Sequence, residues 1–290
     1  MAKGYLYIIA SAVIFGCMPL GAKYIYADGV NSMTLVLLRS CLALPLMALL
    51  IRTRGESLAV SPKEELRISL LSIIGTCMTP VLLFSSYHHI SSGMATTLHF
   101  IYPAAVVLGC VLFLGEKPRR GPILCVVLCS VGVCLFQEGG ERMNPTGTLL
   151  ALASGISNAA YMILLDRSGL GHISGLKLCF HMCAAGSLGL LAMCIATGSL
   201  ALPGSLFGWA ACVAFSIAVS MGAVLFFQKG LFLVGSQRSA ILSTFEPITS
   251  LVIGVLIFRE AVTLHTLLGA ALILMATVLI ALLDRKKEEM

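Results

Sequence analysis

Apolar runs of about membrane-crossing length alternate with short polar breaks along the whole chain. They fall at about 5–25, 32–51, 67–87, 93–114, 121–137, 147–165, 174–197, 206–228, 237–258 and 264–283. A helix crossing a hydrocarbon layer about 30 Å thick needs on the order of 20 apolar residues at about 1.5 Å each. These runs are apolar on every face, whereas a soluble helix would show a single stripe. The pattern predicts ten transmembrane helices and no soluble domain. Pro19, Pro80, Pro103 and Pro247 lie inside runs, where neighbouring helices can satisfy the carbonyl groups that a proline frees.

Composition agrees, since 58% hydrophobic and 11% charged residues leave too little polar material to cover a soluble globule of 290 residues. Charge placement adds an orientation. If the N-terminus is cytoplasmic, fifteen basic residues fall in cytoplasmic segments, among them Lys3, Arg52, Arg54, Lys63, Lys117, Arg119, Arg167, Lys177 and Lys286. Three, Lys23, Arg142 and Arg259, fall outside. The bias predicts both termini on the cytoplasmic side, and the net charge of +6 then reflects orientation and not nucleic-acid binding. Lys3 ahead of an apolar run resembles a signal peptide, but that run continues to about Ile25 and nine more follow, so a retained first helix is expected. All eleven cysteines lie in apolar runs, where thiols behave as small hydrophobes. Cys179, His181 and Cys183 cluster, but a helix turns about 100° per residue and aims the imidazole away from both thiols. No metal, cofactor or nucleotide is expected, because no phosphate-binding loop or zinc motif occurs.

A shift of 144 residues lays the ninth run under the fourth: LHFIYPAAVVLGCVLFLGEK (98–117) against LSTFEPITSLVIGVLIFREA (242–261). Pro103 matches Pro247 and Glu116 matches Glu260, with the same proline-to-glutamate spacing of 13. The chain therefore divides into 1–143 and 144–290, each with five spans. Five is odd, so the halves enter the membrane from opposite sides, an inverted repeat of the kind that rocks around a central site in secondary transporters. With Arg39 in the second run (LLRSCLALPL) and the FEPI stretch of the ninth, the sequence resembles the drug/metabolite transporter superfamily, in particular its ten-span EamA-type exporters. The resemblance implies an all-α integral membrane protein in a prokaryotic cytoplasmic membrane that moves a small solute outward. It names no solute and no oligomeric state.

Only Arg39 and Glu246 carry charge well within a run. Each costs about 2.5–3.5 kcal/mol at the centre of a helix on insertion scales, so both should face the bundle interior. At about 1.5 Å per residue, Glu246 lies roughly 13 Å from one edge and Arg39 roughly 10 Å from the other. Glu246 reads either as a cavity carboxylate for a cationic group, a proton, or both in turn, or as the fixed partner of Arg39. Arg39, nearer the interface and able to snorkel, reads as structural. Pro103 and Pro247 read as matched kinks. Thr96, His99 and Tyr102 share one helix face, Ser243 and Glu246 another, and Asn158 and Tyr161 a third, with Thr97 at similar depth. Together they either line one cavity or act as interhelical glue. His99 is the leading functional candidate among them, and His88 and His89 are interfacial. The expected activity is secondary transport of a small organic metabolite such as an amino acid, with proton coupling open. Export of drugs or lipid-like amphiphiles, or a non-transporting scaffold, are the alternatives.

Overall fold

The computed structural model describes residues 2–86, 89–90, 92–116, 120–135, 144–258 and 264–288. His88, Lys117, Arg119, Arg142, Arg259 and Glu260 lie outside the described residues, as do the side chains of Pro19, Thr97 and Lys286. Six of the expected crossings are helices long and apolar enough to span alone: Ala2–Ala27, Ser32–Thr53, Pro62–Ser86, Pro145–Arg167, Gly175–Thr197 and Leu206–Val234. They are the first, second, third, sixth, seventh and eighth spans. The fourth consists of Ser92–His99 and Tyr102–Leu114, and the ninth of Ser236–Ser243 and Phe245–Phe258. The fifth is Arg120–Leu135 and the tenth Leu264–Glu288. The protein is an all-α membrane protein built from two five-span repeats.

The prolines act differently from the expected mid-helix kinks. Four in-span prolines open a new helical segment after a break: Pro19 in Met18–Ala27, Pro45 in Leu44–Thr53, Pro103 in Tyr102–Leu114 and Pro247 in Phe245–Phe258; Pro80, in Thr79–Ser86, instead follows the π-helical turn Ile73–Met78 without a break. First-turn residues have no intrahelical use for an N–H, so proline costs little there. At the ninth-span break the Ile241 carbonyl is taken by the N–H and hydroxyl of Thr244.

The 144-residue offset runs through the backbone as well. Pro62–Ser72 and Leu206–Ser216 are equivalent, and each runs into a wide π-helical turn, Ile73–Met78 and Ile217–Ala223. The breaks in the fourth and ninth spans follow the same offset. Packing repeats too: the first span contacts the eighth and ninth as the sixth contacts the third and fourth. Second and seventh, fourth and ninth, and fifth and tenth pair with each other. Exchanging the halves leaves this pattern unchanged, so the repeats are related by a pseudo-two-fold axis. With five crossings per half that axis lies in the membrane plane, near mid-depth.

Small residues let the paired backbones approach, as dispersion requires where no hydrophobic force joins helices in lipid. A Cβ at Gly132 on the fifth span would lie 2.8 Å from the Gly269 carbonyl oxygen on the tenth. One at Gly16 on the first span would lie 2.7 Å from the Glu246 carbonyl oxygen, and one at Gly155 on the sixth 2.5 Å from that of His99. The two broken helices are thus held at their breaks by glycines.

Candidate functional site

Tyr102 and Glu246 stand 144 residues apart and occupy equivalent positions, each in the first turn after a break. The structure brings them together: Tyr102 lies within electrostatic range of Glu246, with the Ser243 side chain in reach of its hydroxyl. Equivalent residues that meet must lie beside the pseudo-two-fold axis, so both sit at mid-depth. Glu246 is half-buried, and no described residue bonds to or pairs with its carboxylate. Glu246 stands in the first turn of Phe245–Phe258, the end of a helix that favours negative charge. A carboxylate that no described residue pairs is costly at such a depth.

His99, one turn before Tyr102, stacks obliquely on it with ring centroids 5.5 Å apart, and its Nδ1 lies 2.8 Å from the Ser154 hydroxyl on the sixth span. Ser154 was not singled out from sequence. Its signal is a small polar residue one turn before Asn158 on the same face. Asn158 is half-buried, and no described group bonds to its amide. Tyr161 turns elsewhere. Its ring covers Gly75 in the third-span π turn and stacks on Phe227, 6.4 Å between centroids. Its hydroxyl points to Met182 Sδ at 4.0 Å, where the buried Gln228 also donates at 3.1 Å, leaving the Gln228 Oε1 without a partner. Gln228 escaped sequence reading because it sits at the end of an apolar run. Ser243 bonds back to the Ser239 carbonyl at 2.8 Å. Thr96 is half-buried on the His99 face. His99, Tyr102, Ser243 and Glu246 therefore form one group, with Asn158 a turn from Ser154, while Tyr161 belongs to a second polar cluster with Gln228.

Arg39 is not Glu246's partner. The ion pairs among the described residues are Arg167–Glu116, His172–Glu64 and His181–Glu65. Arg39 instead lies within electrostatic range of Cys183, Cys77 and Tyr26. Its Nε is buried without a hydrogen-bond partner, and its backbone carbonyl accepts from Ser216 and from Ser220 at 2.7 Å. Arg39 and Cys183 are again 144 apart, so this cation also lies beside the axis. A snorkelling arginine would reach the interface and water; this one stays inside the bundle. Two charges of opposite sign, neither in an ion pair among the described residues, thus sit beside the axis, one where the second and seventh spans meet and one where the fourth and ninth meet.

The two ends of the bundle differ. At the end carrying residues 54, 62, 116 and 167, the halves are laced together by charges. Arg167 pairs with Glu116 and Gln237 donates to Glu116 at 2.6 Å, both across the halves, and within the second half the Ser236 N–H is capped by Asp166 at 2.9 Å. Ser61 caps Pro62–Ser72 in a reciprocal box with Glu64. Its hydroxyl and N–H, then His172, hold the Glu64 carboxyl down at about 2, and Glu64 in turn raises His172 above the usual imidazole value. At the opposite end the links are neutral or backbone: Asn31 donates to the Ser199 carbonyl, and Asp28 accepts the Ser205 N–H at 3.1 Å. Here a cavity of about 240 Å³ opens, lined by Asn31, Met33, Val36, Val81, Phe84 and Ser199 among others. None of the sequence-derived candidates lines it, but Val36 lies three residues before Arg39 and Val81 four after Cys77, so its floor is about one helical turn from Arg39 along the second span.

Comparison with known proteins supports this architecture. Residues 2–137 and 145–282 each match the model of the EamA-like transporter family. An uncharacterized inner membrane transporter of Salmonella typhimurium, YicL, is 26% identical and aligns over 98% of this chain and 97% of its own. The uncharacterized transporter YcbK of Bacillus subtilis is 25% identical over 92% of this chain and 89% of its own. A crystal structure superposes on 99% of both chains with a TM-score of 0.83 at 18% identity, a likeness of fold.

Proposed function

Starting from the fact that the chain belongs to the EamA-like transporter family, we propose that it is a secondary transporter that exports a small organic metabolite, an amino acid or related compound, by alternating access. The halves 1–143 and 144–290 rock against each other around a site at the pseudo-two-fold axis. The observation that carries the reading is the half-buried Glu246 carboxylate, without a partner among the described residues, beside its repeat equivalent Tyr102. Glu246 takes the cationic amine of the solute, a proton, or each in turn. His99, Ser243, Thr96 and the Asn158 amide, to which no described group bonds, supply neutral hydrogen bonds, while Tyr161, turned toward Met182 and Gln228, stands apart from this group. Arg39 offers a positive pole for a carboxylate on the same solute. Pro103 and Pro247 begin the half-helices that present Tyr102 and Glu246. The charged seam and the cavity at the other end are what a conformation closed toward the basic end requires, and positive-inside bias makes that end cytoplasmic.

Untargeted metabolite profiling of cells with and without the gene supplies the candidate solute. Counterflow of that solute in proteoliposomes, with and without a pH gradient, then tests transport and coupling. Flux by Glu246→Gln equal to wild type at every pH removes Glu246 from the mechanism. A rival reading, export of an apolar amphiphile, draws on Met33 and Phe84 in the cavity wall. It predicts accumulation of hydrophobic compounds and indifference to Glu246→Gln.

A further inference from the structure

The cavity at the end opposite the charged seam leads toward Arg39. Asn31 caps the second span at its mouth, and Ser32 and Val36 line it. Ser32, Val36 and Arg39 stand at i, i+4 and i+7, one face of a helix, so Arg39 continues that wall one turn deeper. On the third span Val81 and Phe84 form a second wall. Cys77, one turn before Val81, lies within electrostatic range of Arg39. Both walls therefore lead to the same cation.

Two donors meet at the foot of the cavity. The Arg39 Nε is buried without a hydrogen-bond partner, and so is the Tyr26 hydroxyl of the first span. Tyr26 lies within electrostatic range of Arg39 and beside Ser32, which lines the cavity. The groups that face the guanidinium are Tyr26, Cys77 and Cys183, from the first, third and seventh spans, and none is a carboxylate. The eighth span meets the Arg39 carbonyl instead, through Ser216 and Ser220. A buried cation without a counter-charge and a buried hydroxyl without a partner are each costly. One ligand relieves both. The edge formed by Nε and a terminal guanidinium nitrogen takes a planar carboxylate through two parallel hydrogen bonds, and a phenolic hydroxyl can add a third.

We propose that Arg39 and Tyr26 form a carboxylate site at the foot of this cavity, and that its ligand is the anion of a small organic acid with an apolar body. The proposal rests on the transporter reading above and narrows its solute to a carboxylate for which an amine is optional. The carboxylate lies deep and the apolar body rests against Val36, Val81 and Phe84. The cavity, about 240 Å³, is smaller than the roughly 300–1,000 Å³ of pockets for drug-sized ligands, which limits the ligand to a small acid. No acidic residue lines the cavity, so an amine on the ligand finds no counter-charge there. Tyr26 is thereby a specificity residue that acts with Arg39, at a different span junction from the group around Glu246.

Equilibrium binding of radiolabelled 4-methylpentanoate, which is leucine without its amine, to the purified full chain in detergent tests the site. At about pH 7 this acid is ionised. Saturable binding to wild type is expected, competed by the unlabelled acid and not by the neutral amide 4-methylpentanamide. Tyr26→Phe removes a single hydroxyl and is expected to weaken binding by about tenfold or more. Arg39→Gln is expected to abolish it, and Tyr26→Phe decides the matter alone should Arg39→Gln fail to fold. Absence of saturable binding, equal competition by the amide, or unchanged affinity in Tyr26→Phe overturns the site. Binding is read without transport: a protein that binds the acid but shows no counterflow of any solute refutes the transporter reading alone, and one that exchanges a solute but binds no acid refutes this site alone.

Discussion

Replacing Gly155 with alanine tests whether the sixth span holds the fourth-span break in place. The added Cβ would lie 2.5 Å from the His99 carbonyl oxygen, 2.8 Å from Ile101 Cγ2 and 3.3 Å from the His99 carbonyl carbon. Relaxed carbon contacts sit at about 3.5–4.0 Å, so the two backbones must part by roughly 1 Å. Two of the three atoms are backbone and cannot rotate away. Overpacking of this kind costs about 1–3 kcal/mol, while alanine's better helix propensity offsets up to about 1 kcal/mol. Gly189→Ala removes that ambiguity, because its Cβ would meet only Cys77 Sγ at an ordinary 3.6 Å. Propensity cancels between the two variants, so Gly155→Ala should be less stable than Gly189→Ala by the whole overpacking cost. At about 2–4 °C per kcal/mol for chains somewhat shorter than this one, the melting temperatures should differ by about 2–10 °C. Thermal unfolding of both purified proteins in one detergent measures it. Equal melting temperatures would mean that the helices slide freely at this contact and that Gly155 does not position His99 and Tyr102.

Three further outcomes follow from the same geometry. Glu246→Gln should leave the melting temperature near wild type, since no described partner is lost, yet weaken binding of an amine-bearing solute by about tenfold or more, the worth of one charge-assisted hydrogen bond; unchanged affinity by calorimetry would contradict this. Arg39→Met should stabilise the protein, by up to about 4 kcal/mol on the pattern of buried charges replaced by apolar side chains, while abolishing binding of a carboxylate-bearing solute; a clear fall in melting temperature would point to a structural role. For Glu64→Gln the loss relative to wild type should depend on pH in both directions. Glu64, held at about 2 against an ordinary 4.5, contributes fully above 4.5 and fades as pH falls toward 2, whereas the raised His172 contributes below 6.5 and fades as pH climbs past its shifted value. The difference in melting temperature should therefore peak between about pH 4.5 and 6.5, and a monotonic profile would refute the pairing.

Much of the fold was legible because hydrocarbon imposes a simple grammar: length, uniform apolarity and basic breaks suffice to mark crossings. The 144-residue shift was legible from two prolines and two glutamates, and it runs through helices, breaks and packing alike. The π turns at Ile73–Met78 and Ile217–Ala223 were not, since no residue type marks a backbone that widens by one hydrogen-bond step. Alignment placed Tyr102 opposite Glu246 on paper but not in space, because a shift says which residues are equivalent and not which spans cross the axis. Arg39 was misplaced for the same reason. Its equivalent is Cys183, chemically unlike it, so nothing in the pattern signalled that the two meet. Of the two readings open for Glu246, pairing with Arg39 rests on opposite charge alone, and charge alone does not place two helices side by side. Pro45 opens a segment as Pro103 and Pro247 do, yet it has no counterpart in the 144-residue shift to mark it: the equivalent position is Gly189.

The unlike pairs at the axis bear on why the two halves share one chain. A symmetric dimer of the first half would set arginine against arginine where Arg39 now meets Cys183, and a dimer of the second would set carboxylate against carboxylate where Glu246 meets Tyr102. Like charges about 4 Å apart at an effective dielectric near 20 repel by about 4 kcal/mol, enough to disfavour either assembly. Covalent fusion lets each side of the dyad carry its own residue, so a single positive and a single negative group can occupy positions that strict symmetry would double.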